Sequence, residues 1–252
     1  MASDRTQAEK LIACALDMNA KGINHGSSGN VSVRVGDALL LTPSGVPYDQ
    51  LTPDSIIKMN FDASWSPLGI SPGDSPDEIP DEIPDEIHSL RPSSEWRFHL
   101  DVLAARSDVN AVVHAHPIAA TALSTHSRGI EPFHYMVAMA GGRNIRCADY
   151  ATFGTEQLSR NAVTALEDRR ACLLAHHGIL ALGDDLGQAL ALAVEVEVLA
   201  AQYLAALAIG EPPLLSDAQM DEVLVKMAAP DGYGSAPTVF KPTIFKPAIF
   251  KE

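Results

Sequence analysis

An α/β protein, with a β-sheet layered by helices, is what this 252-residue sequence predicts. Three observations carry that expectation. Valine-rich runs at 31–35 and 111–115 and an apolar run at 171–175 have the length and composition of strands. Stripes with helical spacing open the chain and recur at 95–106, 157–167 and 186–209. The two kinds of segment alternate along a chain long enough for a full core.

Taken in order, Thr6-Gln7-Ala8-Glu9 has the form of a capping box, and Ala8, Leu11, Ile12, Ala15 and Leu16 follow at helical spacing. Gly22 and the run Gly26-Ser27-Ser28-Gly29-Asn30 stop that helix. Val31, Val33 and Val35 then alternate with Ser32 and Arg34, the pattern of a half-buried strand. Residues 38–41 and 56–61 are further strands, parted by the turn residues Thr42-Pro43-Ser44-Gly45. Helix resumes over 95–106, where Trp96, Leu100, Leu103 and Ala104 make the apolar stripe. The segment Ala111-Val112-Val113-His114-Ala115-His116 is a strand, followed by a short helix from Pro117. A helix over 157–167 precedes a strand over 171–177. Residues 186–209 form a long helix, with Leu186, Leu190, Val194, Ala201 and Leu204 on one side and Gly210 as its stop. A last amphipathic helix covers 216–227.

Two segments break the pattern. Residues 62–92 contain three copies of Pro-Asp-Glu-Ile between positions 76 and 87. A proline in every unit forbids a regular helix, and the paired acids favour solvation. The end of the chain repeats every five residues around Phe240, Phe245 and Phe250, with prolines that exclude a helix or a central strand. Three exposed phenylalanines would be costly, so this tail is expected to pack on its own subunit or a neighbour. The expected division is one domain over 1–234, with a low-complexity acidic loop at 70–92, and a repetitive tail over 235–252.

With 46% hydrophobic and 20% charged residues, the composition is that of a soluble globular protein. A formal net charge of −14 argues against a nucleic-acid or anionic-membrane partner, so any anionic ligand must be held by local groups. Residues 1–18 lack the basic start and unbroken apolar stretch of a signal peptide. No uncharged apolar run reaches the ~18 residues of a membrane span. Cys14, Cys147 and Cys172 are far apart, with no Cys-x-x-Cys, and read as reduced thiols. A cytoplasmic protein is expected.

The chemistry-bearing residues point to a metal. In a strand, alternate side chains share a face, so His114 and His116 aim two imidazoles at one point. The run ending in His176-His177-Gly178 can deliver a third from a neighbouring strand, although spacing does not choose between the two histidines. Glu95 can add a carboxylate oxygen. Nitrogen and oxygen donors of this kind suit zinc, which needs no thiolate. His25, His88, His99 and His126 read as surface or structural, and Trp96 and Phe98 as core. Phe153 has the character of either a site wall or a core residue.

Several motifs together resemble the class II aldolase/adducin family. Gly26-Ser27-Ser28-Gly29-Asn30-Val31-Ser32, Thr42-Pro43-Ser44-Gly45, Pro92-Ser93-Ser94-Glu95-Trp96, Val112-Val113-His114-Ala115-His116 and Leu174-Ala175-His176-His177-Gly178 occur in that family's order. His134-Tyr135-Met136, Tyr150-Ala151-Thr152-Phe153-Gly154 and Glu195-Val196-Glu197 are similar to its sugar-phosphate aldolase branch. The likeness runs from about the first helix to about residue 227 and stops at the acidic repeats and the tail.

The resemblance implies a three-layer α/β/α sandwich around one mixed, largely antiparallel sheet, assembled as a cyclic homotetramer. It implies Glu95, His114, His116 and His177 as zinc ligands, choosing the second histidine of the pair. It implies Ser27, Gly29, Asn30, Ser44, Gly45, Ser93 and Ser94 as binders of a substrate phosphate. Glu95 is implied to be catalytic, with Tyr135 from an adjacent subunit and Tyr233 from the C-terminal region. The implied activity is zinc-dependent cleavage of a ketose 1-phosphate. Rival readings are an epimerase, dehydratase or decarboxylase of the same family, and a non-catalytic adducin-like module. Glutamate rather than aspartate at 95, together with Tyr135, favours the aldolase.

Overall fold

The computed structural model describes residues 3–70, 87 and 89–229. Tyr233, His88, the acidic repeats up to position 86 and the 235–252 tail lie outside the described residues. The strands are β1 (Asn30–Val35), β2 (Ala38–Leu41), β3 (Ile57–Asn60), β4 (Trp65–Pro67), β5 (Ala111–Ala115), β6 (Arg146–Ala148), β7 (Ala171–Leu174) and β8 (Gly178–Gly183). They form one sheet in the order β4-β3-β2-β1-β5-β8-β7-β6. Every neighbouring pair is antiparallel except β6 with β7.

One face carries α1 (Asp4–Ala20), α3 (Ile118–Ser124), α5 (Leu186–Ile209) and α6 (Asp217–Ala228). The other carries α2 (Trp96–Ala105) and α4 (Glu156–Ala165). This is a three-layer α/β/α sandwich around a mixed, largely antiparallel sheet. Two apolar cores, one on each face, hold the layers together. The alternation along β5 shows how: Ala111, Val113 and Ala115 enter the first core, while Val112 enters the second.

Several local expectations are corrected. Helix α1 starts at Asp4, and the Ser3 side chain caps it by accepting from the Thr6 N–H at 3.3 Å. Thr6 therefore lies inside the first turn and caps nothing. Strand β1 is not half-buried, because helices cover both faces and Ser32 is fully buried. Within 62–92, Trp65–Pro67 adds an edge strand, and its short length suits a proline at the border. The strand expected over 171–177 ends at Leu174, because His176 adopts φ +57° and turns the chain into β8.

On α2 the buried residues are Phe98, His99, Leu100, Val102, Leu103 and Ala105, so Leu100 and Leu103 of the expected stripe are buried and Ala104 is exposed. On α5 Leu186 and Leu190 are buried as expected, with Ala189, Leu192, Ala193, Val196, Leu199, Ala200 and Tyr203; Val194 and Leu204 pack partly buried against the same core, and Ala201 is exposed. Successive steps of four drift around a helix of 3.6 residues per turn, which carries Ala104 and Ala201 past the edge of the buried face. By length and hydropathy α5 is apolar enough to cross a membrane. Here it lies along β5 and β8 and carries Glu195 and Glu197.

The antiparallel pairings decide where the site falls. The start of β1, the ends of β2 and β5, and the turn between β7 and β8 all meet at one end of the sheet.

Candidate metal centre and active site

Strand β5 delivers His114 and His116 to that end. Its register sets His114 beside Asn30 of β1 on one side and Leu180 of β8 on the other. His114 is fully buried, and its Nδ1 lies 2.9 Å from the Ile179 carbonyl oxygen. That oxygen can only accept, so Nδ1 carries a hydrogen and Nε2 is the ring nitrogen that faces the site. His116 stands one residue beyond the strand, with its Nε2 2.8 Å from that of His114.

The chain then turns into α3, whose N-cap is Pro117 and has no side-chain cap of its own. Glu197 of α5 supplies one, accepting from the N–H groups of Ala119 and Ala120 at 2.8 Å each. The path just after His116 is fixed by that contact. Gly178 completes the corner, since a Cβ there would sit 2.3 Å from the Ala115 carbonyl and 2.7 Å from the His116 ring.

The left-handed His176 sends the two histidines of the pair to different places. His177 turns inward, 3.0 Å from Glu95 Oε1. The ring of His176 lies edge-on to Tyr150, with centroids 5.8 Å apart. Glu95 sits at the N-terminal boundary of α2 and is 5% exposed. Its Oε2 lies 3.1 Å from His114 Nε2 and accepts from Asn30 Nδ2 at 3.0 Å. One donor atom from each of Glu95, His114, His116 and His177 falls within 4.8 Å of the others.

This donor set fits a divalent cation. Although burial alone would raise it, the imidazoles of His114 and His177 hold the Glu95 carboxyl well below the usual carboxylate range. Burial, together with neighbouring His114, pushes the His116 imidazole down to about 3 and leaves it a neutral donor. Glu95 Oε1 is buried, and its contact with His177 lacks the alignment of a hydrogen bond. A buried polar atom left unpaired costs roughly 1–3 kcal/mol, and more when charged, so a cation is the partner this oxygen suits.

The remaining expected site residues group around the same end. The bridge between Pro43 and Pro92 brings the Ser44-Gly45 turn beside Ser93 and Ser94. Ser27, Ser44, Gly45 and Ser94 are exposed. Gly29, Asn30 and Ser93 are buried and already engaged within the protein. The Gly29 N–H donates to Asn24 Oδ1 at 2.9 Å, and its missing Cβ would lie 2.5 Å from the His114 carbonyl oxygen. Glycine at 29 thus permits the close pass of β1 beside a candidate ligand. Ser93 Oγ accepts from the Glu95 N–H at 3.3 Å, which orients the start of α2.

A cleft of about 390 Å³ opens over the cluster, lined by Ser28, Ser94, Glu95, His116 and His177. Tyr150 and Phe153 also line it and are 62% and 64% exposed, so Phe153 is a wall residue here. Tyr135 begins a short 3₁₀ segment, Tyr135–Ala140, and is 40% exposed. It is not among the residues lining this subunit's cleft. His134 accepts from the Met136 N–H through Nδ1 and lies against the Tyr135 ring.

Two features escaped the sequence reading. The Glu197 cap acts across the fold, so no local pattern announces it. His99, set aside as structural, is fully buried within a polar chain that ends on Glu95. A signal for it exists: His99 lies one helical turn after Glu95, and Asn30 and Ser32 are alternate residues of one strand.

A sandwich with three imidazoles and a carboxylate at one end of its sheet, beneath an open cleft, has the layout of a metal centre. The chain belongs to the class II aldolase and adducin family: residues 9–204 match the family described as "Class II Aldolase and Adducin N-terminal domain". A 5-methylthioribulose-1-phosphate/5-deoxyribulose-1-phosphate aldolase of Rhodospirillum rubrum is 47% identical over 216 residues, 86% of this chain and 88% of the relative. An L-fuculose phosphate aldolase of Escherichia coli is 44% identical over 220 residues, 87% of this chain and 93% of the relative. Among solved structures, an L-fuculose 1-phosphate aldolase superposes with a TM-score of 0.78 at 33% identity, covering 90% of this chain and 98% of its own. The aldolase branch of the family is thereby supported, with relatives that differ in the sugar phosphate they are named for.

Proposed function

We propose that the protein is a cytoplasmic, zinc-dependent aldolase that reversibly cleaves a ketose 1-phosphate to dihydroxyacetone phosphate and a small aldehyde. L-Fuculose 1-phosphate, giving L-lactaldehyde, is the first substrate to test. The observation that carries this reading is the buried Glu95 carboxylate converging with His114, His116 and His177 beneath an open cleft. A zinc ion held by those four residues would supply Lewis acidity, drawing electrons from the ketone oxygen beside the bond to be broken.

The protein's own groups account for the proton transfers. In the cleavage direction the hydroxyl at C4 loses its proton, the C3–C4 bond breaks, and C4 becomes the aldehyde carbonyl. Tyr135 of an adjacent subunit is the base proposed for that hydroxyl, and Tyr233, outside the described residues, is proposed as a second catalytic tyrosine. The electron pair of the broken bond passes towards C3 and the ketone, and C3 takes its proton from Glu95, which first acquires one from solvent as substrate enters the cleft. Ser27, Ser44, Gly45 and Ser94 are exposed and are the residues proposed to receive the phosphate, with Gly29, Asn30 and Ser93 buried behind them. Local N–H dipoles at such residues would let a chain of net charge −14 hold an anion.

A second substrate has support. The Rhodospirillum relative is named for 5-methylthioribulose and 5-deoxyribulose phosphates, and the aromatic faces of Tyr150 and Phe153 suit an apolar sugar end. The deciding assay couples dihydroxyacetone phosphate release to a reporter. It compares fuculose, rhamnulose, ribulose and 5-methylthioribulose 1-phosphates, with and without chelator. About one zinc per subunit is expected, and chelation should abolish turnover while circular dichroism stays largely intact. Full turnover in metal-free protein overturns the zinc reading, and zinc binding without cleavage of any ketose phosphate overturns the aldolase reading.

Removing residues 76–87 should leave kcat nearly unchanged. Proline repetition and dense like charge mark a solvated connection, and a shorter loop closes at small entropic cost. A folded deletion variant with a large loss of turnover would place the loop in the site.

A further inference from the structure

Behind Glu95, a file of buried polar groups leads from the sheet to the carboxylate. Ser32 Oγ lies 2.7 Å from His99 Nδ1, and His99 Nε2 lies 2.5 Å from Asn30 Oδ1. Asn30 Nδ2 in turn donates to Glu95 Oε2 at 3.0 Å. Ser32 and His99 are fully buried, and Asn30 is 3% exposed.

The hydrogens in this file have one consistent arrangement. An ionised Glu95 requires a donor, which turns the Asn30 amide nitrogen towards it and Oδ1 towards His99. Oδ1 only accepts, so His99 Nε2 carries the hydrogen. The imidazole is neutral, held down to about 3 chiefly by its burial, so Nδ1 is left to accept from the Ser32 hydroxyl. Every hydrogen points towards Glu95. Reversing the amide would set Oδ1 against a carboxylate oxygen and two nitrogen donors against one another. Burial of three polar side chains is tolerable because each bond in the file is made.

We infer that His99 is a positioning residue for Glu95: by locking the Asn30 amide, it holds carboxylate Oε2 beside His114 and leaves Oε1 facing His177. This rests on Glu95 facing a metal, as the proposed function has it, and adds a residue that touches neither metal nor substrate. Packing alone would not call for an imidazole at 99, since a leucine fills similar space between β1 and α2 without polar atoms to satisfy. Ser32 matters less, because it acts on the file only through His99.

The test uses the full-length protein and three substitutions, read by zinc affinity in chelator competition, by kcat and KM, and by thermal unfolding of metal-free protein. His99→Leu should weaken zinc binding roughly 10–100-fold, as loss of an outer partner of a metal ligand does, and lower kcat with little change in KM. His99→Gln places an amide nitrogen where Nε2 stood, so it should restore both zinc affinity and kcat to near the wild-type values. His99→Asn is too short to reach Asn30 and should behave like the leucine variant.

If His99→Leu does not fold, the glutamine–asparagine pair carries the test, because both bury an amide in the same place. Equal losses in the two amide variants, or a leucine variant with wild-type zinc affinity and kcat, overturn the inference. Wild-type protein that binds zinc but cleaves no ketose phosphate overturns the aldolase reading instead, and the zinc measurements still decide the role of His99.

Discussion

Glu95→Gln is expected to retain a metal on His114, His116 and His177 and yet to lose roughly 10²–10⁴-fold in kcat, the usual worth of a positioned proton-transfer group. The substitution is close to isosteric. An amide oxygen at 95 can still accept from Asn30 Nδ2, so the file behind it stays bonded. What disappears is the ability to give a proton to carbon and take it back, and with it the negative charge among the imidazoles. Metal affinity should fall by at least the roughly 10–100-fold expected when the carboxylate is merely loosened, while three nitrogen donors remain to hold zinc when it is supplied in excess. The measurements are zinc per subunit, dihydroxyacetone phosphate release and the melting temperature of the metal-free protein. A variant with near-normal turnover would reduce Glu95 to a structural ligand. One that holds no zinc would show instead that the carboxylate is indispensable to the metal.

Parts of this site were legible in the sequence because they follow from strand geometry. His114 and His116 are alternate residues of one strand, and the apolar run before them reveals that strand without further information. Helices set by glycine stops and apolar stripes were legible for the same local reason, which is why 186–209 matches α5. The choice between His176 and His177 was not legible from spacing. It depends on one residue entering the left-handed region at φ +57°, which reverses the chain and turns the second imidazole inward. Reading the strand onward to 177 also hid β8, whose apolar run begins directly after the turn.

The file through His99 needed still more. Its members come from β1 and α2, 65 or more residues apart, and meet only because the second layer packs on that strand. Separate periodicities place Asn30 with Ser32 and Glu95 with His99, but nothing local says that those two faces oppose one another. Glu197 illustrates the same limit, since a helix cap supplied from another helix leaves no trace in the capped segment. Asn30 shows how a residue singled out by a motif can hold a contact that the motif does not announce. Its backbone holds β1 beside His114, while its amide is spent on Glu95.

The largest gain of function is expected when two inactive variants are combined. Tyr135 is half-exposed and does not line its own subunit's cleft, so a role in proton transfer requires that it serve a neighbouring one. Under the proposed assembly, each site then draws Glu95 from one chain and Tyr135 from the next around a closed ring. Glu95→Gln and Tyr135→Phe are each expected to be nearly inactive alone. Coexpressed, they mix at random, and an intact site arises wherever a chain with native Glu95 precedes, in the correct sense, a chain with native Tyr135. One ordered pairing in four satisfies this, so activity should return to roughly a quarter of the wild-type value per site. If both residues served the same subunit, every site would carry one lesion or the other, and no mixture could rebuild one. Native mass spectrometry confirms that hybrids form, and hybrids as inactive as their parents would remove Tyr135 from the neighbouring site.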